Sequence, residues 1–221
     1  MRFNKVLSFN LSNKLLNKSN NIHTRNNKIR AAILDLSGTV IDPFVIAPPL
    51  SFVKVFKKYG IDITIGQIRP YIGIKNDLHV QELFEINTIK DQWENTYNRP
   101  INNSDIEKIY NDFIPIEVDV LNKYGTLIPG VINTVQTLQK KQIKVGITTQ
   151  FSKNICDIIL KKNKSHGFVP DCCTSCDDVI YIDNRPNPFM LYENLKRLNV
   201  FPIHNVIKVD DTISGITEGL N

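Results

Sequence analysis

The chain has 221 residues, of which 42% are hydrophobic, 9% aromatic and 22% charged, a globular composition that excludes collagenous, fibrous and wholly disordered chains. Its net charge of +5 suggests a basic, polyanion-binding protein only until the charges are located. Seven bases and no acid fall between Met1 and Arg30, leaving 20 bases against 22 acids in the other 191 residues, so the body is slightly acidic and neither nucleic acid nor a membrane is an expected partner.

The first 28 residues form a basic, Asn-rich leader with Leu7, Leu11 and Leu15 on one helical face. This is the composition of an organellar transit peptide, and it predicts a mitochondrial address if it acts as one and a cytoplasmic one if it does not. No segment approaches the ~18 uninterrupted apolar residues of a membrane span. From Ile29 to Leu34 an apolar run ends at Asp35 and turns at Gly38, the pattern of a buried parallel strand with a polar loop at its carboxyl end.

Over a hundred residues separate this strand from the next, far more than a crossover needs. Residues 45–126 therefore read as an inserted helical cap over a core of 29–44 and 127–221. In the cap, Leu50, Val53 and Phe56 start a helix closed by Gly60. Ser104 is the expected cap of a long helix through Ile106, Ile109, Tyr110, Phe113 and Val118.

After the cap, a helical pattern at Pro129–Lys141 precedes a strand at Ile143–Ile147 that ends in Thr148-Thr149. Cys172, Cys173 and Cys176 read as small hydrophobes of a short buried strand ending at Asp177-Asp178, since no second ligand pair stands at zinc-like spacing. A helix over Asn187–Leu198 and a strand over Val206–Val209, ending in Asp210-Asp211-Thr212, complete the alternation. Strands and helices in this order predict a doubly wound α/β protein, mainly parallel and Rossmann-like, with its ligand outside the carboxyl ends of the strands.

Asp35-Leu36-Ser37-Gly38-Thr39 resembles the nucleophile loop of the haloacid dehalogenase superfamily. Thr148-Thr149, Arg185 in NRPNPFM and Asp211 in KVDDTISG resemble, in the same order, its hydroxyl, basic and metal-binding motifs. In the superfamily's phosphatases the residue two after the nucleophile is usually a second Asp, which protonates the leaving oxygen; here it is Ser37. A small residue there, with the stretches YIGIKNDLHVQELFE, TTQF and VIKVDDTISGITEGLN, is similar to the phosphonoacetaldehyde hydrolases, from about Lys28 onward.

That resemblance implies cleavage of a P–C bond in a small phosphonate aldehyde. Lys75 would form a Schiff base, His79 would move protons, and Asp35 would attack phosphorus. Thr148, Thr149 and Arg185 would bind the substrate's oxygens, and Mg2+ would sit between Asp35, Asp211 and the carbonyl of Ser37. It also implies a homodimer formed through the cap. The family's lysine precedes its histidine by three residues, whereas Lys75 precedes His79 by four, and counting from Gly73 puts Asn76 at the lysine's place. Similar proteins continue with a further strand and helix, so this chain reads as truncated, with one sheet edge unpaired. Two alternatives stay open: a phosphoester phosphatase of the same superfamily, and an inactive remnant or binding protein.

Overall fold

The computed structural model describes residues 28–179 and 184–221. The basic leader, apart from Lys28, lies outside the described residues. Four short strands form one parallel sheet: β1 (Ala31–Leu34), β2 (Lys144–Thr149), β3 (Cys172–Ser175) and β4 (Val206–Val209), in the order β3-β2-β1-β4. Ala31 is level with both Lys144 and Val206, and Leu34 with both Ile147 and Val209, so β1 and β4 finish together and β2 runs two residues further. That register brings Asp35, Thr148-Thr149 and Asp210-Asp211 to one edge of the molecule, where open parallel sheets bind their ligands.

Alternate residues of β1 feed two apolar layers, as strand geometry requires. Ala32 and Leu34 pack with Val145, Ile147 and residues of α6 (Val131–Lys140) and α7 (Lys153–Lys164). Ala31 and Ile33 pack under Leu191, Leu195 and Leu198 of α8 (Phe189–Leu198). The final helix, α9 (Ile213–Leu220), lies against β4, the edge strand, where Ile207 and Val209 remain partly exposed. Among the described residues no strand pairs with the outer edge of β4.

Between β1 and β2 the chain forms α1 (Ala47–Lys58), α2 (Ile65–Ile68), α3 (Asn76–Phe84), α4 (Asn87–Tyr97) and α5 (Asn103–Tyr124). These share a separate apolar cluster built on Phe52, Phe56, Phe84, Trp93, Ile109 and Phe113. The start of α1 is fixed by Asp42, whose carboxylate accepts from the amides of Ile46 and Ala47 at 3.0 and 2.8 Å. Asn102, not Ser104, caps α5: its side chain accepts from Asp105 N, and the Asp105 carboxylate accepts from Asn102 N. Ser104 lies inside the first turn because this reciprocal box starts the helix earlier.

The cysteines correct another expectation. Cys172 and Cys173 lie in β3 but are only half-buried, since an edge strand of a small sheet is incompletely covered. Cys176 is buried in the 3-10 turn that follows. All four cysteines are free thiols.

Candidate active site

Asp35 stands directly after β1, its amide donating to Val209 O at 2.9 Å and its side chain nearly sealed from water. Burial pushes its carboxyl up to about 6 against the opposing pull of Arg185. Arg185 is also buried, with Nη1 at 2.7 Å from Asp35 Oδ1, Nη2 at 3.2 Å from Asp210 and Nε at 3.0 Å from Glu218. Burial disfavours its charge, but Asp35, Glu218 and Asp210 more than offset this and raise its pKa above the ordinary guanidinium value.

Lys208 points inward from β4 to the same cluster. Its Nζ lies 3.1 Å from Asp210 and 3.0 Å from Glu218, and donates to Thr148 Oγ1 at 2.6 Å. Thr148 also receives Arg185 Nη2, at 2.9 Å on its carbonyl and 3.1 Å on its hydroxyl. Thr149 accepts the Phe151 amide at 3.2 Å and lines the cavity beneath the cap. Lys208, Glu218 and Asp210 belong to this cluster, and the motifs did not single them out.

Asp35, Asp210 and Asp211 each offer a carboxylate oxygen within 4.8 Å of the others, so Asp210 joins the pair expected to hold a cation. Asp210 is otherwise engaged: Oδ1 accepts from Thr212 N and Oγ1 at 2.9 and 2.7 Å, while Oδ2 faces the two cations. Burial raises its carboxyl, but Arg185 and Lys208 outweigh that and leave it below the usual carboxylate range. Asp211 is pushed upward by burial and accepts from Thr39 Oγ1 at 3.2 Å.

Arg185 and Lys208 pair with Asp35, Asp210 and Glu218, and Asp211 adds a fourth carboxylate beside them, an excess of two negative charges that suits a divalent ion with hard oxygen ligands. Gly38 supports the same fit. It adopts φ +88°, and a Cβ there would collide with the Asp211 carboxylate. Ser37 lines the cavity and donates its hydroxyl to Asp42 at 3.4 Å, linking the nucleophile loop to the start of α1.

The cap closes the cavity with Ile72, Gly73, Ile74, Asn76 and His79. Gly73, at φ +96°, accepts a hydrogen bond from Ser214 of α9 at 3.0 Å, which ties the cap loop to the core. His79 Nε2 is 3.1 Å from Ile68 O and its ring lies 4.1 Å from that of Phe52. Burial lowers its pKa to about 4 against the raising effect of the Ile68 carbonyl, so the imidazole is neutral near pH 7.

Lys75 precedes α3 and pairs with Asp77 at 3.1 Å. Burial works against its charge, but Asp77 outweighs burial and raises its pKa. Its neighbour Asn76 lines the cavity instead, donating Nδ2 to both oxygens of Glu117 at 3.2 Å. Glu117 is wholly buried, and burial pushes its carboxyl up to about 8 despite Asn76.

A buried carboxylate at a parallel strand end, a guanidinium aimed at it, neighbouring hydroxyls and an acidic cluster under a helical cap are the arrangement of a hydrolase of the doubly wound α/β class. The family described as haloacid dehalogenase-like hydrolase matches residues 32–221. The phosphonoacetaldehyde hydrolase of Bacillus cereus (strain AH187) is 37% identical over 194 residues, 88% of this chain and 73% of that protein. That of Paraburkholderia phytofirmans is 33% identical over 193 residues, covering 87% and 72%. Among solved structures, a phosphonoacetaldehyde hydrolase-like protein from Oleispira antarctica matches with a TM-score of 0.83 and 32% identity, over 87% of this chain and 69% of that one. The chain belongs to the haloacid dehalogenase-like hydrolases and, within them, to the phosphonoacetaldehyde hydrolase family.

Proposed function

We propose that the chain hydrolyses phosphonoacetaldehyde to acetaldehyde and phosphate. The observation that carries this reading is Ser37. Two residues beyond the nucleophile, where an ester hydrolase needs an acid for its leaving oxygen, stands a hydroxyl that donates to Asp42. A reaction whose leaving group departs as a neutral enamine needs no such acid.

In this reading the Lys75 amine releases Asp77, turns toward the cavity wall formed by its neighbours Ile74 and Asn76, and condenses with the aldehyde with loss of water. Asp35 then attacks phosphorus. The P–C bond breaks, its electron pair passes into the protonated imine to give the enamine, and an aspartyl phosphate forms. Water hydrolyses the acyl phosphate; the enamine takes up a proton and a second water to release acetaldehyde and the amine. Arg185, with Thr148 and Thr149 at the end of β2, orients the phosphonate oxygens. Mg2+ held by Asp35, Asp211 and the Ser37 carbonyl would offset phosphonate charge as the carboxylate approaches. His79, neutral at pH 7, would accept a proton during imine formation.

Purified chain supplied with phosphonoacetaldehyde and magnesium should release both products, and borohydride during turnover should add substrate-derived mass at Lys75. Absence of both turnover and adduct would sink the proposal. A second reading, hydrolysis of a small phosphate ester with no imine, is favoured by Asn76 rather than Lys75 on the cavity wall; phosphate release from esters alone would select it. A cap-mediated homodimer and an organellar address for the leader belong to the same proposal, to be tested by light scattering and by fusing residues 1–28 to a reporter.

A further inference from the structure

Gln150 follows Thr149 at the carboxyl end of β2, is 8% exposed and lines the cavity beneath the cap. Neither its Oε1 nor its Nε2 has a hydrogen-bond partner among the described residues. Polar neighbours on the cavity wall are already engaged. Thr149 accepts the Phe151 amide, Asn76 donates to Glu117, and His79 is held by the Ile68 carbonyl. A buried amide without partners carries its full desolvation cost, which an apolar side chain of the same length would not. The liability is therefore removed only by something that enters the cavity.

We propose that Gln150 determines specificity by hydrogen-bonding the organic end of the substrate, while Arg185 and the acidic cluster hold the phosphoryl end. This rests on reading the cavity as the active site. A carboxamide offers two N–H donors and an acceptor oxygen. The matching substrate class is a small phosphonate or phosphate with a carbonyl group, or its hydrate, close to phosphorus. The carbonyl oxygen accepts from Nε2, and a hydrate's hydroxyl donates to Oε1. A plain alkyl phosphonate of equal size leaves the amide unpaired, the situation in which binding sites discriminate most strongly.

The test titrates phosphonoacetaldehyde, ethylphosphonate and inorganic phosphate, with magnesium, into the full chain and into Gln150→Met. The preference for phosphonoacetaldehyde over ethylphosphonate should fall about tenfold in the variant, the effect of one or two hydrogen bonds to a buried group. Affinity for inorganic phosphate should not change, and the ligand-free variant should melt at a higher temperature than the wild type. An unchanged preference, or a lower melting temperature without ligand, would overturn the proposal. Gln150→Asn, which keeps the amide but withdraws it by one methylene, serves if the methionine variant fails to fold: it should lose part of the preference, and full retention would overturn the proposal. A wild type that binds phosphate but does not favour the carbonyl ligand overturns the role of Gln150 alone. A wild type that binds none of the three overturns the active-site reading as well.

Discussion

Arg185 and Lys208 reach the same oxygen of Glu218, each at 3.0 Å. Glu218 is fully buried, and so is Asp210, the other carboxylate that both cations touch. Removing one member of a buried ion network leaves an uncompensated charge, at a cost of about 3–5 kcal/mol. Glu218→Gln should therefore lower stability by about 3 kcal/mol, seen as a shift of the urea midpoint without a change of slope. Adding Lys208→Met to Glu218→Gln should cost less than the sum of the two single changes, because the first change already removes one of the two ion pairs that hold Lys208, leaving it only Asp210.

Gly38 makes a different prediction. Because a Cβ would strike the Asp211 carboxylate and φ is +88°, Gly38→Ala should displace the side chain proposed to hold magnesium as well as strain the turn. Calorimetric titration with magnesium should show at least a tenfold loss of affinity, and Asp211→Asn should weaken binding to a similar degree.

Glu117 and His79 give opposite pH dependences. With its folded pKa near 8, above its ordinary 4.5, Glu117 holds a proton in the native state that the unfolded chain releases. Its contribution is fully present below about pH 4.5 and is lost as pH rises to 8, a swing on the order of 5 kcal/mol. Glu117→Gln should flatten this slope in urea unfolding measured from pH 5 to 9. His79, depressed from 6.5 to about 4, is uncharged in the native state, so its contribution is present above pH 6.5 and is lost as pH falls toward 4. His79→Asn should remove the corresponding acid-side slope.

Asn76 offers a gain-of-function test. Its side chain already lines the cavity beside Glu117, so Asn76→Lys would place an amine on the wall where the wild type has an amide. Borohydride should then trap phosphonoacetaldehyde on residue 76, located by peptide mass mapping. An unmodified residue 76 in a folded variant would show that the cap wall does not meet the aldehyde.

The alternation of apolar runs and Asp or Thr clusters made the sheet and its active edge legible, because buried parallel strands are apolar throughout and their chemistry collects at one end. Asp35, Thr148, Arg185 and Asp211 converge as their motif order implied. Lys208 and Glu218 were not legible: a lysine within VIKV and a glutamate in a helix containing Gly215 and Gly219 match none of the four motifs. Only three-dimensional pairing explains their burial: Glu218 with Arg185 and Lys208, and Lys208 with Asp210 as well. The lysine loop was ambiguous for a related reason. A one-residue step at the start of a helix turns a side chain by about 100°, enough to exchange Lys75 for Asn76 on the cavity wall. Gln150 gave no pattern to read, since an unpaired amide is defined by its surroundings.

Glu218 belongs to α9, a helix of eight residues that leaves Ile213 and Leu220 largely in water. Helices of this length do not persist without tertiary contacts. Here the contacts are the Thr212 cap, the hydrogen bond from Ser214 to Gly73 and the ion pairs of Glu218. Each transient opening of α9 would release the cap loop and take the shared counter-ion from Arg185 and Lys208 together. The arrangement of the ion cluster and of the cap loop thus depends on this one short segment, which can open locally without global unfolding. Amide exchange at Gly215 to Leu220 would time that opening directly.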